Sequence, residues 1–225
     1  YLKGLRALFL YELQKVSLNF FSICLPYSCN NWGKHMKTLK LSKATMEKRV
    51  SKFAELEPLP IQIDKTVPQA GKDIVYAREL LSVIGLDPSE GTTPINSGAP
   101  IIGAGGITMT LAKCPPGQGP GLHNHLATFE TFTVLEGKFL IKWNDDGSEE
   151  LILKKYDTIS IPPGVCRSFT NIDEGEGLLQ VIISGGVHDM KDISFTPHAA
   201  EKMENIEPNL SKKFENIGFK FNAGL

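Results

Sequence analysis

The sequence has few of the features that mark nucleic-acid-binding or membrane-spanning proteins. Its 24 basic and 25 acidic residues leave a formal net charge of −1, and no long basic run occurs among its 225 residues. This balance gives no electrostatic reason to expect nucleic acid or an anionic membrane as a partner. An uncharged stretch near the N-terminus, residues 16–31, contains Ser, Asn, Pro and Cys and is too polar to span a bilayer. We therefore expect a cytoplasmic globular protein.

Cysteine is also scarce, with four residues at positions 24, 29, 114 and 166. Cys24 and Cys29 are close to each other, but no second pair completes the spacing of a zinc finger. We favour reduced cysteines in a cytosolic protein. A Cys24–Cys29 disulfide in an oxidising compartment is the alternative.

The N-terminal 99 residues divide into an extension and an arm. Residues 1–35 do not begin with Met, whereas Met36 is followed by Lys-Thr-Leu-Lys, so we interpret 1–35 as an extension or a non-native start. Residues 36–99 are expected to form a helical and loop arm. One predicted helix covers residues 42–56 and a second covers 70–84, because apolar side chains recur at helical spacing in both. In the first helix this apolar stripe consists of Met46, Val50, Phe53 and Leu56.

The character of the chain changes after Gly106 to short apolar or alternating runs separated by turn signals. These signals include Gly137, Asn144-Asp145-Asp146-Gly147 and Pro162-Pro163-Gly164. About eight short strands at this spacing predict an all-β core, an antiparallel barrel or jelly roll, over residues 100–190. We see no internal repeat, so we expect a single barrel.

The C-terminal tail, residues 191–225, is predicted to be helical again. Thr196-Pro197 begins one helix, with Thr as the N-cap and Pro at the first helical position. A second helix is expected over residues 208–216, ending at Gly218. The predicted fold is therefore an all-β barrel with flanking N- and C-terminal helices.

One cluster of residues has the chemistry of a metal site. His123 and His125 lie at positions i and i+2, so on a strand both imidazoles project from the same face. Glu130 follows across a short turn and could converge on the same point. Two neutral nitrogens and one anionic oxygen suit a divalent transition metal and leave coordination positions open.

The spacing of these residues resembles the first motif of the cupin superfamily at each position: Gly117-x5-His123-x-His125-x4-Glu130-x6-Gly137. Residues 156–171 resemble the second motif, with Pro162, Gly164 and Asn171 in place. The resemblance implies a single double-stranded β-helix (jelly-roll) barrel, a divalent metal such as Fe, Mn, Ni or Zn, a small-molecule ligand and a homodimer.

Two positions depart from the second motif. Tyr156 stands where the family usually has Gly, and we expect its side chain to pack at the start of a strand. Arg167 stands where the family has its fourth metal ligand, a His. The permanently charged guanidinium could pair bidentately with Glu130 in place of a metal. Alternatively, the metal takes His123, His125 and Glu130 while Arg167 binds the carboxylate of a substrate.

The neighbouring candidates favour structural roles. Strand alternation turns Cys166 away from the site, where it serves as a small core residue. His188 could supply a fourth ligand, but we favour a surface loop histidine, and His198 is expected to be solvated at a helix start. Expected core residues of the barrel are Phe132, Val134, Phe139 and Ile141.

Two functional hypotheses follow. In the first, the protein is a dioxygenase-like or other metal-dependent enzyme that acts on a small anionic molecule, with Arg167 in a catalytic role. In the second, it is a non-catalytic small-molecule-binding or structural protein in which Arg167 neutralises Glu130 and no metal is bound. Fold alone does not choose between them.

Overall fold

The computed structural model describes residues 38–91, 98–185 and 191–225. One compact unit spans Ser42–Leu225. The predicted extension, residues 1–35, and the candidate ligand His188 lie outside the described residues.

Eleven strands in the described residues form two sheets, and all pairings except that of β1 with β2 are antiparallel. The larger sheet has the order β2-β1-β3-β10-β5-β8. Its strands are β1 (Glu79–Gly85), β2 (Ile101–Ile102), β3 (Ile107–Cys114), β5 (Phe129–Glu136), β8 (Thr158–Ile161) and β10 (Gly177–Ser184). The smaller sheet has the order β11-β4-β9-β6-β7. Its strands are β4 (His123–His125), β6 (Lys138–Trp143), β7 (Glu149–Lys154), β9 (Arg167–Asn171) and β11 (Ile193–Phe195).

The main core lies between the inward faces of the two sheets. Every second residue of β3 and β10, and of β5 as far as Val134, is buried, as the two-residue period of a strand with one buried face requires. The four predicted core residues are fully buried there, and Phe169 joins them, with its ring edge-on to Phe132. The predicted all-β jelly-roll core with flanking helices is confirmed.

The helices are short and lie at both ends of the unit. They are α1 (Lys43–Glu47), α2 (Pro60–Ile63), α3 (Gln69–Val75), α4 (Pro197–Ile206) and α5 (Leu210–Asn216), with a 3-10 turn at Phe53–Glu55. Thr196 is the N-cap of α4 and Pro197 its first residue, as predicted. A second apolar cluster joins α3, α4, α5 and β11 through Val75, Met203, Phe214 and Phe195. None of the helices in the described residues has the length and apolar character that crossing a membrane requires.

Both helix predictions in the arm need correction. The helix predicted over residues 70–84 ends at Val75, and Glu79–Gly85 is strand β1, which pairs with β3. Sheet pairing buries Leu81 and Val83, and this tertiary gain overrides the helical spacing of the apolar residues. The helix predicted over residues 42–56 is reduced to α1, with Met46 and Phe53 half-exposed. A short amphipathic stripe that packs against nothing does not sustain a long helix.

Sheet pairing extends beyond residues 100–190 on both sides. Strand β1, from the arm, lies within the larger sheet, and β11, from the tail, pairs with β4. This second pairing matters for the site because it places Ile193 opposite His125.

Candidate metal centre

The three residues of the sequence motif converge inside the barrel. Strand β4 carries His123 and His125, and Glu130 is the second residue of β5, after a short turn. Oε2 of Glu130 lies 3.5 Å from Nε2 of His123 and 3.8 Å from Nε2 of His125. All three side chains are buried, and one donor atom from each lies within 4.8 Å of the others. These three residues could therefore hold a metal ion.

The outer nitrogen of each imidazole is held by an acceptor. Nδ1 of His123 lies 2.9 Å from the carbonyl oxygen of Gly121. Nδ1 of His125 lies 3.2 Å from Oδ2 of Asp192 and 3.0 Å from Oγ1 of Thr128, whose own proton goes to Asp192. Because a carbonyl and a carboxylate only accept, both Nδ1 atoms carry the proton. A ring that binds a metal in its neutral form then presents the lone pair of Nε2 towards the carboxylate of Glu130. Three acceptor atoms that face one another are stable together when a cation lies between them.

Asp192 organises the turn between the two ligand-bearing strands. Its carboxylate accepts hydrogen bonds from the Ala127 N–H and from Oγ1 of Thr128, both at 2.5 Å, and its backbone carbonyl accepts from the Leu126 N–H. Burial alone would raise the pKa of the Asp192 carboxyl, but the hydrogen bonds from His125, Thr128 and Ala127 outweigh it and hold the pKa at about 2. The ionised carboxylate fixes the ring of His125.

Sequence reasoning missed Asp192. It lies 67 residues after His125, and no motif connects the two. The only signal in the sequence is a short apolar run, Ile193–Phe195, which becomes strand β11 and pairs with β4.

Arg167 lies directly opposite His123 on the neighbouring strand β9. Its side chain is 0% exposed, its Nε donates to Oε2 of Glu130 over 2.7 Å, and its Nη1 donates to the carbonyl of Val165 over 3.0 Å. Nη2 is buried and has no hydrogen-bond partner. The expectation of a bidentate Arg167–Glu130 pair is therefore wrong: the pair uses one N–H and leaves its neighbour free.

The charges at the site favour an ionised Glu130 and a neutral His125. Burial alone would raise the pKa of Glu130, but the permanent positive charge of Arg167 holds it well below its usual range. Burial lowers the pKa of His125, which favours the neutral imidazole that coordinates metals. Two neutral nitrogens and one carboxylate match the preferences of divalent first-row metals.

The remaining candidates lie away from this point. Cys166 is buried on the face opposite to that of Arg167, and burial raises the pKa of its thiol to about 12. His198 is exposed at the start of α4 beside Glu201. Tyr156 does not pack as predicted: it is 73% exposed, with a φ of 76°. This left-handed backbone favours Gly, which explains why the second motif usually has Gly at this position.

A comparison with protein families agrees with this architecture. The sequence profile described as "Cupin domain" matches residues 110–183, which include β4, the three candidate ligands and Arg167. The cupin resemblance inferred from the motif is confirmed for residues 110–183. No curated protein sequence matches the chain.

Solved structures are similar to the chain over part of their length. The cupin domain of Schizosaccharomyces pombe Cnp3 is 18% identical, with 36% of this chain and 57% of that chain covered, at a TM-score of 0.33. A predicted oxalate decarboxylase from Thermotoga maritima is 24% identical, with 35% and 65% covered, at a TM-score of 0.32. A structure of DMSP lyases is 20% identical, with 49% of each chain covered, at a TM-score of 0.39. The chain spans less than two thirds of the length of each of these three.

Proposed function

We propose that the cupin domain binds one divalent metal ion through His123, His125 and Glu130 and acts as a metal-dependent enzyme on a small anionic molecule. The observation that supports this proposal is the convergence of three acceptor atoms. Both Nδ1 atoms are held by Gly121 and Asp192, so the two Nε2 lone pairs and Oε2 of Glu130 face one another. A bound cation relieves their mutual repulsion.

The donor set restricts the chemistry. Two imidazoles and one carboxylate suit Fe, Mn, Ni or Zn, and three protein ligands leave positions for other groups. A divalent ion held there would supply a Lewis-acid or oxygen-activating centre, and a dioxygenase-like reaction is our first choice.

The chain itself contributes orientation, charge and exclusion of water. Gly121 and Asp192 hold the two rings, and burial of all three ligands limits access of water. Arg167 places a permanent positive charge beside Glu130, which suits an anionic substrate such as a carboxylate.

Metal analysis tests the proposal directly. The protein is purified without a histidine tag, and its metal content is measured beside that of His123→Ala and of His198→Ala, which removes an exposed histidine far from the motif in sequence. We expect about one ion per chain in the wild type and in His198→Ala, with most of it lost in His123→Ala. Equal metal content in all three proteins would contradict the proposal.

The ion pair between Arg167 and Glu130 supports a second candidate function. Its Nε–Oε2 distance of 2.7 Å is that of a direct charged hydrogen bond, so Arg167 could neutralise Glu130 without a metal. The barrel would then be a binding or structural module. This candidate predicts substoichiometric metal that His123→Ala does not change.

We also propose that the protein forms a homodimer and is cytoplasmic. Half-buried apolar side chains on the outward face of the larger sheet, among them Met109, Leu111 and Ile182, support an association between copies. Light scattering behind size-exclusion chromatography tests the dimer, and a monomeric mass at micromolar concentration would contradict it.

A further inference from the structure

The unpartnered Nη2 of Arg167 is the starting point for a further inference. The side chain is fully buried, and two of its three nitrogens are bonded, to Glu130 and to the Val165 carbonyl. Nη2 is the one nitrogen without an acceptor. A charged donor that is buried without a partner is costly, so the site is complete only when an acceptor occupies the position in front of Nη2.

The planar guanidinium fixes where that acceptor lies. Nη2 and Nε share one edge of the group, and one N–H of Nη2 runs parallel to the Nε–H that reaches Oε2 of Glu130. The missing acceptor therefore lies beside Oε2. This is the same oxygen that faces Nε2 of both His123 and His125. An atom in that position would be a neighbour of the proposed metal.

Charge also favours an anion. A divalent ion and Arg167 together carry three positive charges, and Glu130 neutralises one of them. Asp192, behind His125, offsets a second. The excess positive charge is buried, and buried charge is unfavourable unless it is paired.

Among the described residues, no further side chain completes the ligand set. Only His123, His125 and Glu130 are close enough together there to form a set of three or more metal-ligating groups. Within the described part of the chain the coordination set is therefore short of a ligand, and the free donor of Arg167 points to where an external one would lie.

We propose that a small carboxylate supplies the next ligand: one of its oxygens coordinates the metal and accepts a hydrogen bond from Nη2 of Arg167. This inference rests on the proposed metal site and deepens it. Its consequence is that metal and carboxylate bind cooperatively. By linkage, the carboxylate raises metal affinity by the same factor by which the metal raises carboxylate affinity.

The test measures Co(II) affinity by competition with a chromophoric chelator, in a buffer free of carboxylates, then with saturating acetate or with acetamide, its neutral isostere. We expect acetate to tighten Co(II) binding about tenfold or more and acetamide to have no effect. The visible spectrum of bound Co(II) should also change when acetate is added, because the ligand set changes.

Arg167→Gln separates this role from a structural one. Without the cation, Co(II) should bind Arg167→Gln at least as tightly as the wild type in the absence of acetate, and the acetate effect should disappear. Co(II) affinity would then be retained or increased while the acetate effect is lost. Misfolding cannot produce this combination. Arg167→Lys keeps the positive charge but lacks the two parallel N–H donors of the guanidinium, so it should retain only part of the acetate effect. Arg49→Gln removes an exposed arginine that bonds Ile102 and Gly103 and should match the wild type.

The outcomes distinguish the two proposals. If Co(II) binds the wild type equally well with and without acetate, or if acetate helps Arg167→Gln as much, the carboxylate ligand is wrong and the metal site stands. If Co(II) does not bind under either condition, the metal site is wrong, and the carboxylate inference fails with it.

Discussion

Arg167 Nε donates to Oε2 of Glu130 over 2.7 Å, and this same oxygen faces Nε2 of both histidines. One carboxylate oxygen thus stands between a permanent cation and the place where a metal would bind. The arrangement favours an ionised Glu130 with or without a metal, because the permanent positive charge of Arg167 opposes the effect of burial. Metal binding and the ion pair are therefore compatible. The ion pair leaves one guanidinium nitrogen of Arg167, Nη2, without a hydrogen-bond partner.

Removing the Glu130 charge should destabilise the fold as well as the metal site. In Glu130→Gln, Arg167 remains buried without a counter-charge, so we expect a loss of about 3–5 kcal/mol in the free energy of unfolding. Urea denaturation of the metal-free protein measures this. The double variant Glu130→Leu/Arg167→Met, which removes both charges, should recover much of the loss. A single variant as stable as the wild type would mean that the pair is not desolvated.

Asp192 should control metal affinity through His125. Asp192→Asn replaces one acceptor oxygen by a donor and misorients the ring, and loss of such a partner weakens metal binding by about 10- to 100-fold. Competition with a chelator measures the change. Asp146→Asn, in an exposed turn where it bonds the Ser148 N–H, is the matched control and should leave the affinity unchanged. An unaltered affinity in Asp192→Asn would show that the carboxylate does not position the ring.

Any side chain at position 119 should destabilise the fold. A Cβ at this position would lie 1.8 Å from the backbone oxygen of Phe169 on β9, the strand that carries Arg167. Gly119→Ala must displace one of the two backbones, so we expect a destabilisation of about 1–3 kcal/mol or more by urea denaturation. Gly175→Ala is the control because a Cβ there meets nothing within 4 Å. Equal stability of the two variants would contradict the close approach.

Replacing Tyr156 with glycine should stabilise the protein. Its φ of 76° costs an L-residue roughly 1 kcal/mol, and the exposed ring gains little from packing, apart from Lys155 beside it. Tyr156→Gly should therefore raise the melting temperature, whereas Tyr156→Ala, which keeps the backbone cost, should not. A lower melting temperature for Tyr156→Gly would show that the ring contributes more than the backbone strain costs.

The sequence was most informative where function is encoded locally. His123, His125 and Glu130 lie within eight residues, so strand alternation and one turn were enough to predict their convergence. The single N–H contact between Arg167 and Glu130 could not be predicted, because it depends on how β9 sits against β5 across the barrel.

Features that depend on distant pairing were missed. Asp192 reaches His125 only because β11 pairs with β4. Strand β1 forms where a helix was predicted because it pairs with β3. A short apolar run fits a helix and a buried strand equally well, so tertiary pairing decides between them.

Anomalous diffraction at the absorption edge of the metal found in the purified protein tests the central claim most directly. We expect a single strong peak within coordinating distance, about 2.0–2.2 Å, of Nε2 of His123, Nε2 of His125 and a carboxylate oxygen of Glu130. Crystals of metal-loaded protein that show no peak there, with Glu130 bonded to Arg167 alone, would contradict it.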